Sequence, residues 1–232
     1  MISIIQAAGW PIGPLILCSI LALAFIIERA VKLKASNVVP STLVDEAIEV
    51  SRQAVPNAEI VSQLEQHSAL GQVLAAGWRA INSNPQCTAE DMRAAMESAG
   101  RKVAHQLERY LPALATIASI GPLLGLLGTV IGMIDIFGSQ APAGALSGGN
   151  PMQLAHGIST ALYNTAFGLI VAIPSLIAWR YFRARVDGYV LALELAAERF
   201  ARHLEPMCPG SARAPNPVRQ AMRETTARGA RQ

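Results

Sequence analysis

The chain has little of what most enzymes and small secreted domains depend on. It contains three cysteines in 232 residues, too few and too scattered for a disulfide framework or a cysteine-rich metal site. Cys18 lies in an apolar run, and Cys87 and Cys208 lie in segments read below as cytoplasmic, where thiols stay reduced. All three are expected to be ordinary free thiols. Aromatic residues make up 5% of the chain and charged residues 15%. There is no glycine-rich phosphate loop, no cluster of metal ligands and no nucleophile beside a base, so neither catalysis nor a cofactor is expected. A basic stripe interleaved with aromatics is also missing, which argues against a nucleic-acid partner. The most informative absence is positional. Residues 11–27, 111–134 and 157–179 contain no Asp, Glu, Lys or Arg, and the last two windows contain no His.

What is present fits those gaps. Hydrophobic residues are 52% of the chain and the mean hydropathy is +0.34. The uncharged windows match a hydrocarbon core of roughly 30 Å, or about 20 helical residues. The sequence therefore predicts an all-α integral membrane protein with three transmembrane helices. Residues 1–10 carry no Lys or Arg, and the first window ends in Glu28-Arg29 without a small-residue cleavage site. This pattern predicts a retained helix rather than a signal peptide. All 19 Lys and Arg lie within 28–109 and 180–232, so these segments are cytoplasmic by the positive-inside rule. The expected division is an outward N-terminus at 1–10, spans at 11–27, 111–137 and 157–180, a cytoplasmic helical region at 28–110, and an outward loop at 138–156. A cytoplasmic helix extension at 181–205 and a tail at 206–232 follow. The tail is rich in Pro, Ala and Arg, a composition that predicts disorder.

Helical patterning continues outside the spans. Leu43, Val44, Ala47, Ile48 and Val50 share a face after Pro40-Ser41, and Ile60, Val61 and Leu64 restart the pattern after Pro56-Asn57. Thr88 is a helix N-cap with Asp91 three residues on, close to a capping box. No breaker follows before Gly100 and Pro112, so a helix from Ala89 is expected to run unbroken into the second span. Val186, Tyr189, Val190, Leu193, Ala197 and Phe200 recur at three- and four-residue steps and extend the third span. Two continuous rods of roughly 45 residues, about 65–70 Å each, would then form a cytoplasmic helical bundle with the helices of 41–81.

The second span holds Gly121, Pro122, Gly125, Gly128, Thr129 and Gly132, and the third answers with Ala161, Thr165, Gly168 and Ala172. Small faces let helix backbones approach closely in lipid, so they predict a crowded helix assembly. Pro122 and Pro174 are expected kink sites. Thr129 and Thr165 sit mid-face, with Asn164 beside Thr165 and Thr160 about one turn outward, which marks these four as candidates for a polar, ion-related pathway. A membrane threonine often bonds only its own backbone, so packing alone remains an alternative for each. A proton relay across a membrane needs a titratable group. Neither span supplies one at mid-depth, so a carboxylate would have to come from another subunit. Asp135 is near the end of its helix and His156 lies just outside the third span; both are read as interfacial.

Four stretches resemble the MotA/TolQ/ExbB proton-channel family. They are GWPIGPLILCSILALAFIIER, SALGQVLAAGWRA, GPLLGLLGTVIGMIDIF and ISTALYNTAFGLIVAIPSLIAWRYF. The similarity covers roughly residues 7–205. It implies a homo-oligomeric ring, typically a pentamer, around the single-span helices of a dimeric ExbD/TolR/MotB-type partner whose membrane Asp carries the proton. It also implies the bacterial inner membrane, a periplasmic N-terminus and a cytoplasmic C-terminus. The work delivered would reach the periplasm or outer membrane through a TonB- or TolA-like protein. Thr129 and Thr165 match the family's two pore threonines, and the glycines would let the inner helices pack closely with a smooth lining. Three spans and a large first loop resemble ExbB or TolQ, whereas flagellar MotA proteins have four spans. Many ExbB and TolQ proteins carry Glu five residues before the pore threonine of the third span; this chain has Thr160 there. The leading expectation is the channel subunit of an energising complex that powers TonB-dependent import. The alternatives are a Tol-type envelope-integrity complex, a flagellar-type stator and a passive membrane scaffold. A self-sufficient secondary transporter lacks support, because no internal repeat or intramembrane charge is found.

Overall fold

The computed structural model describes residues 12–53, 57–84, 86–139, 151–208 and 210, and every regular element among them is helical. The N-terminal residues 1–10, most of the expected outward loop and the tail beyond 210 lie outside the described residues, as do the side chains of Thr160 and His156. The helices are α1 (Ile12–Lys32), α2 (Ala35–Val38), α3 (Leu43–Gln53), α4 (Ala58–His67), α5 (Ala69–Ser83), α6 (Ala89–Glu108), α7 (Leu111–Ser139) and α8 (Pro151–Leu204). A 3-10 turn, Glu205–Met207, follows α8. The chain divides into two units: residues 1–33 with 108–187, and residues 34–107 with 188–232.

The first unit holds α1, α7 and α8 as far as Asp187. Among the described residues, three helices are long and apolar enough to cross a membrane. Inside a bilayer no water can satisfy a free backbone, so an uninterrupted helix is the form these runs require. Helix α1 packs on α7, and Phe25 stacks on Tyr110 with ring centroids 5.2 Å apart. Arg29 is buried, pairs with Glu28 at 2.9 Å and places its guanidinium 5.0 Å from the centre of the Tyr110 ring. Leu123, Ile134, Ile170 and Ile177 point away from the unit, each more than 60% exposed. That is the distribution of a helix group solvated by lipid or by further helices.

The helix from Ala89 does not run unbroken into the second span. Helical bonding stops at Glu108 and resumes at Leu111 across a turn at Arg109-Tyr110. Pro112 explains the pause: it has no N–H to give the Glu108 carbonyl, and its ring crowds that carbonyl. Pro122 and Pro174, by contrast, lie within α7 and α8 without ending either helix. Each leaves one carbonyl, of Ala118 and Ile170, without its usual helical donor.

The second unit folds around Trp78 on α5, which is 2% exposed and meets Phe200 of α8 edge-on at 5.3 Å. Leu70, Leu74, Met92, Met96, Val103, Leu193 and Leu204 complete its core. The α3 face differs from the sequence reading. Val50 is exposed, and Ser51 is buried one position on. Ser51 donates to the Ala47 carbonyl at 2.7 Å and accepts from the Trp78 indole N–H at 3.1 Å. A polar residue on an apolar face carries no periodicity signal; only its partner reveals it. Ser51→Ala should cost about 1–2 kcal/mol, because it leaves the buried indole N–H unpaired. Thermal unfolding of the purified chain checks this, and an unchanged transition would remove the bond from the core's stability.

Caps set the helix starts. The side chains of Asn57 and Ser68 accept from Ile60 N–H and Gly71 N–H at 3.0 and 2.9 Å. At α6, Thr88 Oγ1 accepts from Asp91 N–H, and Asp91 accepts in return from Thr88 N–H and its hydroxyl, at 3.1, 3.1 and 2.7 Å. These bonds from Thr88 hold the Asp91 carboxyl below its ordinary value. A depressed folded-state pKa adds stability above the unfolded value, and that stability is lost as pH falls through the folded one. The thermal midpoint should therefore drop more in acid for the wild type than for Asp91→Asn. Parallel pH profiles for the two would rule out a charged cap.

Ordered structure continues where composition predicts a tail. Pro206 and Met207 belong to the 3-10 turn, and Cys208 is 1% exposed.

Candidate functional site: the α7–α8 seam

The small residues of the two apolar helices meet one another. A methyl added at Gly121 would stand 3.2 Å from Ala172 Cβ and 3.1 Å from the Gly168 carbonyl oxygen. At Gly125 it would stand 2.8 Å from the Asn164 carbonyl oxygen and 2.9 Å from Thr165 Cα. At Gly128 it would meet Asn164 Cβ at 2.7 Å, and at Gly132 it would meet Ala161 Cβ at 3.3 Å. In return, a methyl at Gly168 would stand 2.6 Å from the Gly121 carbonyl oxygen. The order of these contacts is antiparallel, and at Gly125 and Gly168 backbone lies directly on backbone. Gly157 closes the far end against Ile136.

Within this seam the two threonines differ. Thr129 Oγ1 donates to the Leu126 carbonyl of its own helix at 2.7 Å. It also borders a shallow surface concavity of 640 Å³ with Val130, Met133, Ile134 and Phe137 of α7. Thr165 Oγ1 is buried and has no hydrogen-bond partner among the described residues. Its Cα lies at the level of Gly125, so the two threonines are offset by about one helical turn, roughly 5 Å. Asn164 is 2% exposed and its side chain lies against Gly128. Its burial is the stronger feature: an amide in the middle of an apolar helix pair is costly unless it is bonded. Spacing alone ranked it behind the threonines. Ser175, also buried in α8, bonds only to its own Val171 carbonyl, at 2.7 Å.

Asp135 is exposed near the end of α7. Among the described residues no group of three or more His, Cys, Asp or Glu is placed to hold a metal ion. The second unit carries a groove of 390 Å³ between α6 and α8, floored by Val73, Met96, Leu193 and Ala197 and flanked by the Arg93–Glu198 pair at 3.6 Å. None of the sequence-predicted site residues lines it. The seam thus places a hydroxyl and an amide between two apolar helices.

Two long apolar helices locked by a small-residue seam, with a buried hydroxyl and a buried amide between them, mark a membrane-type helix pair. Residues 65–195 match the MotA/TolQ/ExbB proton channel family, and the chain belongs to it. The chain is 33% identical over 179 residues to the putative biopolymer transport protein ExbB-like 3 of Synechocystis, covering 77% of this chain and 83% of that one. It is 30% identical to the biopolymer transport protein exbB1 of Vibrio cholerae, covering 82% of each chain. It is 35% identical to the Tol-Pal system protein TolQ of Pseudomonas aeruginosa over 50% of this chain and 49% of that one.

Proposed function

We propose that this chain is the ring-forming channel subunit of a proton-motive-force-driven energising complex of the bacterial inner membrane. In this reading it is ExbB-like and powers TonB-dependent import. Five copies are the expected ring. Its Thr129, Thr160, Asn164 and Thr165 line the pathway, and a single-span ExbD/TolR-like partner dimer supplies the membrane Asp. The N-terminus is periplasmic, and the second unit forms the cytoplasmic bundle. One observation carries the reading: the buried Thr165 hydroxyl without a partner among the described residues. A buried hydroxyl left unbonded costs about 1–3 kcal/mol, and its retention at the centre of a backbone-to-backbone seam fits a group whose partner arrives from another chain. The similarity to biopolymer transport proteins of two organisms supports the ExbB-like role. The similarity to TolQ spans a shorter region.

Proton flux into liposomes tests it. The chain alone should show no pH-driven uptake, and the chain with its co-purifying single-span partner should show uptake. No flux in either case, from a ring of confirmed mass, would leave a passive scaffold.

A further inference from the structure

We propose that Cys87, Met92 and Cys208 form a binding site for one copper(I) ion per chain. The three sulfurs come from three separate places: the turn before α6, the first turn of α6, and the residue after the 3-10 turn. All are buried, at 1%, 0% and 1% exposure. Cys208 Sγ lies 3.9 Å from Met92 Sδ, and the Cys87 and Cys208 thiols are near enough to influence each other's charge. Gly210 N–H donates to the Cys87 carbonyl at 3.1 Å, which ties the two cysteine segments together. Three sulfurs in a plane around one metal, with bonds of about 2.3 Å, stand about 4 Å apart. The Cys208–Met92 separation matches that edge without rearrangement.

The donor set selects the metal. Two thiols and a thioether are soft ligands that favour copper(I), whereas magnesium and calcium require oxygen. Structural zinc takes four ligands from Cys, His and carboxylates. The nearby carboxylates are otherwise engaged, Asp91 with Thr88 at 2.7 Å and Glu205 with Arg93 at 3.3 Å. On binding, each thiol releases its proton to solvent and donates a sulfur lone pair, Met92 donates a third, and no electron is transferred. The short turn carrying Cys208 closes the site, so local opening of that turn admits the ion.

The test is anaerobic titration of the full-length chain in mild detergent with copper(I), in competition with a chromophoric bicinchoninate chelator. One ion per chain is expected. Cys87→Ser and Cys208→Ser should each weaken binding by more than the roughly 10–100-fold that loss of a supporting partner costs, while Cys18→Ser should change nothing. Binding that survives Cys208→Ser, or that fails in Cys18→Ser, would overturn the site. X-ray absorption of the copper-loaded wild type guards against variants that misfold. Three sulfur neighbours are expected, falling to two in Met92→Leu, and a nitrogen or oxygen shell would exclude the assignment.

Discussion

Gly125→Ala should lower the stability of the chain by about 1–3 kcal/mol, and Gly125→Leu should abolish the high-mass complex in mild detergent. The reason is geometric. The new methyl would lie 2.8 Å from the Asn164 carbonyl oxygen and 2.9 Å from Thr165 Cα. Both are backbone atoms, which cannot turn aside as a side chain can. The helices must separate, and every contact along the seam weakens with them. Between membrane helices that loss is serious, because lipid is as apolar as the packing it replaces and close van der Waals fit provides much of the association. Gly121→Ala and Gly132→Ala should cost less, since their tightest contacts stand at 3.1–3.3 Å. Gly13→Ala is the control: a methyl there meets nothing within 4 Å, and replacing glycine in a helix is by itself favourable. Thermal unfolding in detergent ranks the four. Wild-type stability in Gly125→Ala would show that the seam opens at little cost.

Thr165→Val should eliminate proton flux while leaving the fold intact. Valine keeps the shape and removes only the hydroxyl. Because that hydroxyl has no partner among the described residues, its removal deletes a buried unsatisfied group and should leave the thermal midpoint unchanged or slightly higher. Thr165→Ser retains the hydroxyl and should retain flux. Thr129→Val is a different case, for it loses a bond to the Leu126 carbonyl. The paired readout separates function from structure: normal flux in Thr165→Val would remove the hydroxyl from the pathway. A marked loss of stability would instead mean that it has a partner in the folded chain.

Much of the fold is legible in the residues alone, for identifiable reasons. Three apolar helices follow from runs without charge, because a backbone in lipid has no alternative to internal bonding. The Thr88–Asp91 cap is readable because a cap is local, confined to one turn. The interruption at Arg109-Tyr110 was within reach as well. Pro112 bears on the Glu108 carbonyl four residues earlier, so its effect falls one turn before its own position.

Other features depend on partners distant in sequence. Nothing around Ser51 marks it as core; Trp78, 27 residues away, does. The spacing of glycines and alanines can be read in each span, but which glycine meets which alanine is a matter of register between helices. Thr129 and Thr165 look equivalent as letters, and only the packed seam separates a hydroxyl bonded to its own helix from one buried without a partner. Cys87 and Cys208, 121 positions apart, read as two isolated thiols until the fold brings them together beside Met92.

The sequence by itself determined that this chain is helical, that it carries three runs able to cross a membrane, and that its second and third spans have no titratable acid or base at mid-depth. Each of these follows from composition and short-range periodicity. Tertiary structure alone decided how tightly α7 and α8 close on each other, which polar groups are buried between them and which sulfurs share a core. Those depend on contacts between residues far apart in the chain, and no local pattern encodes them.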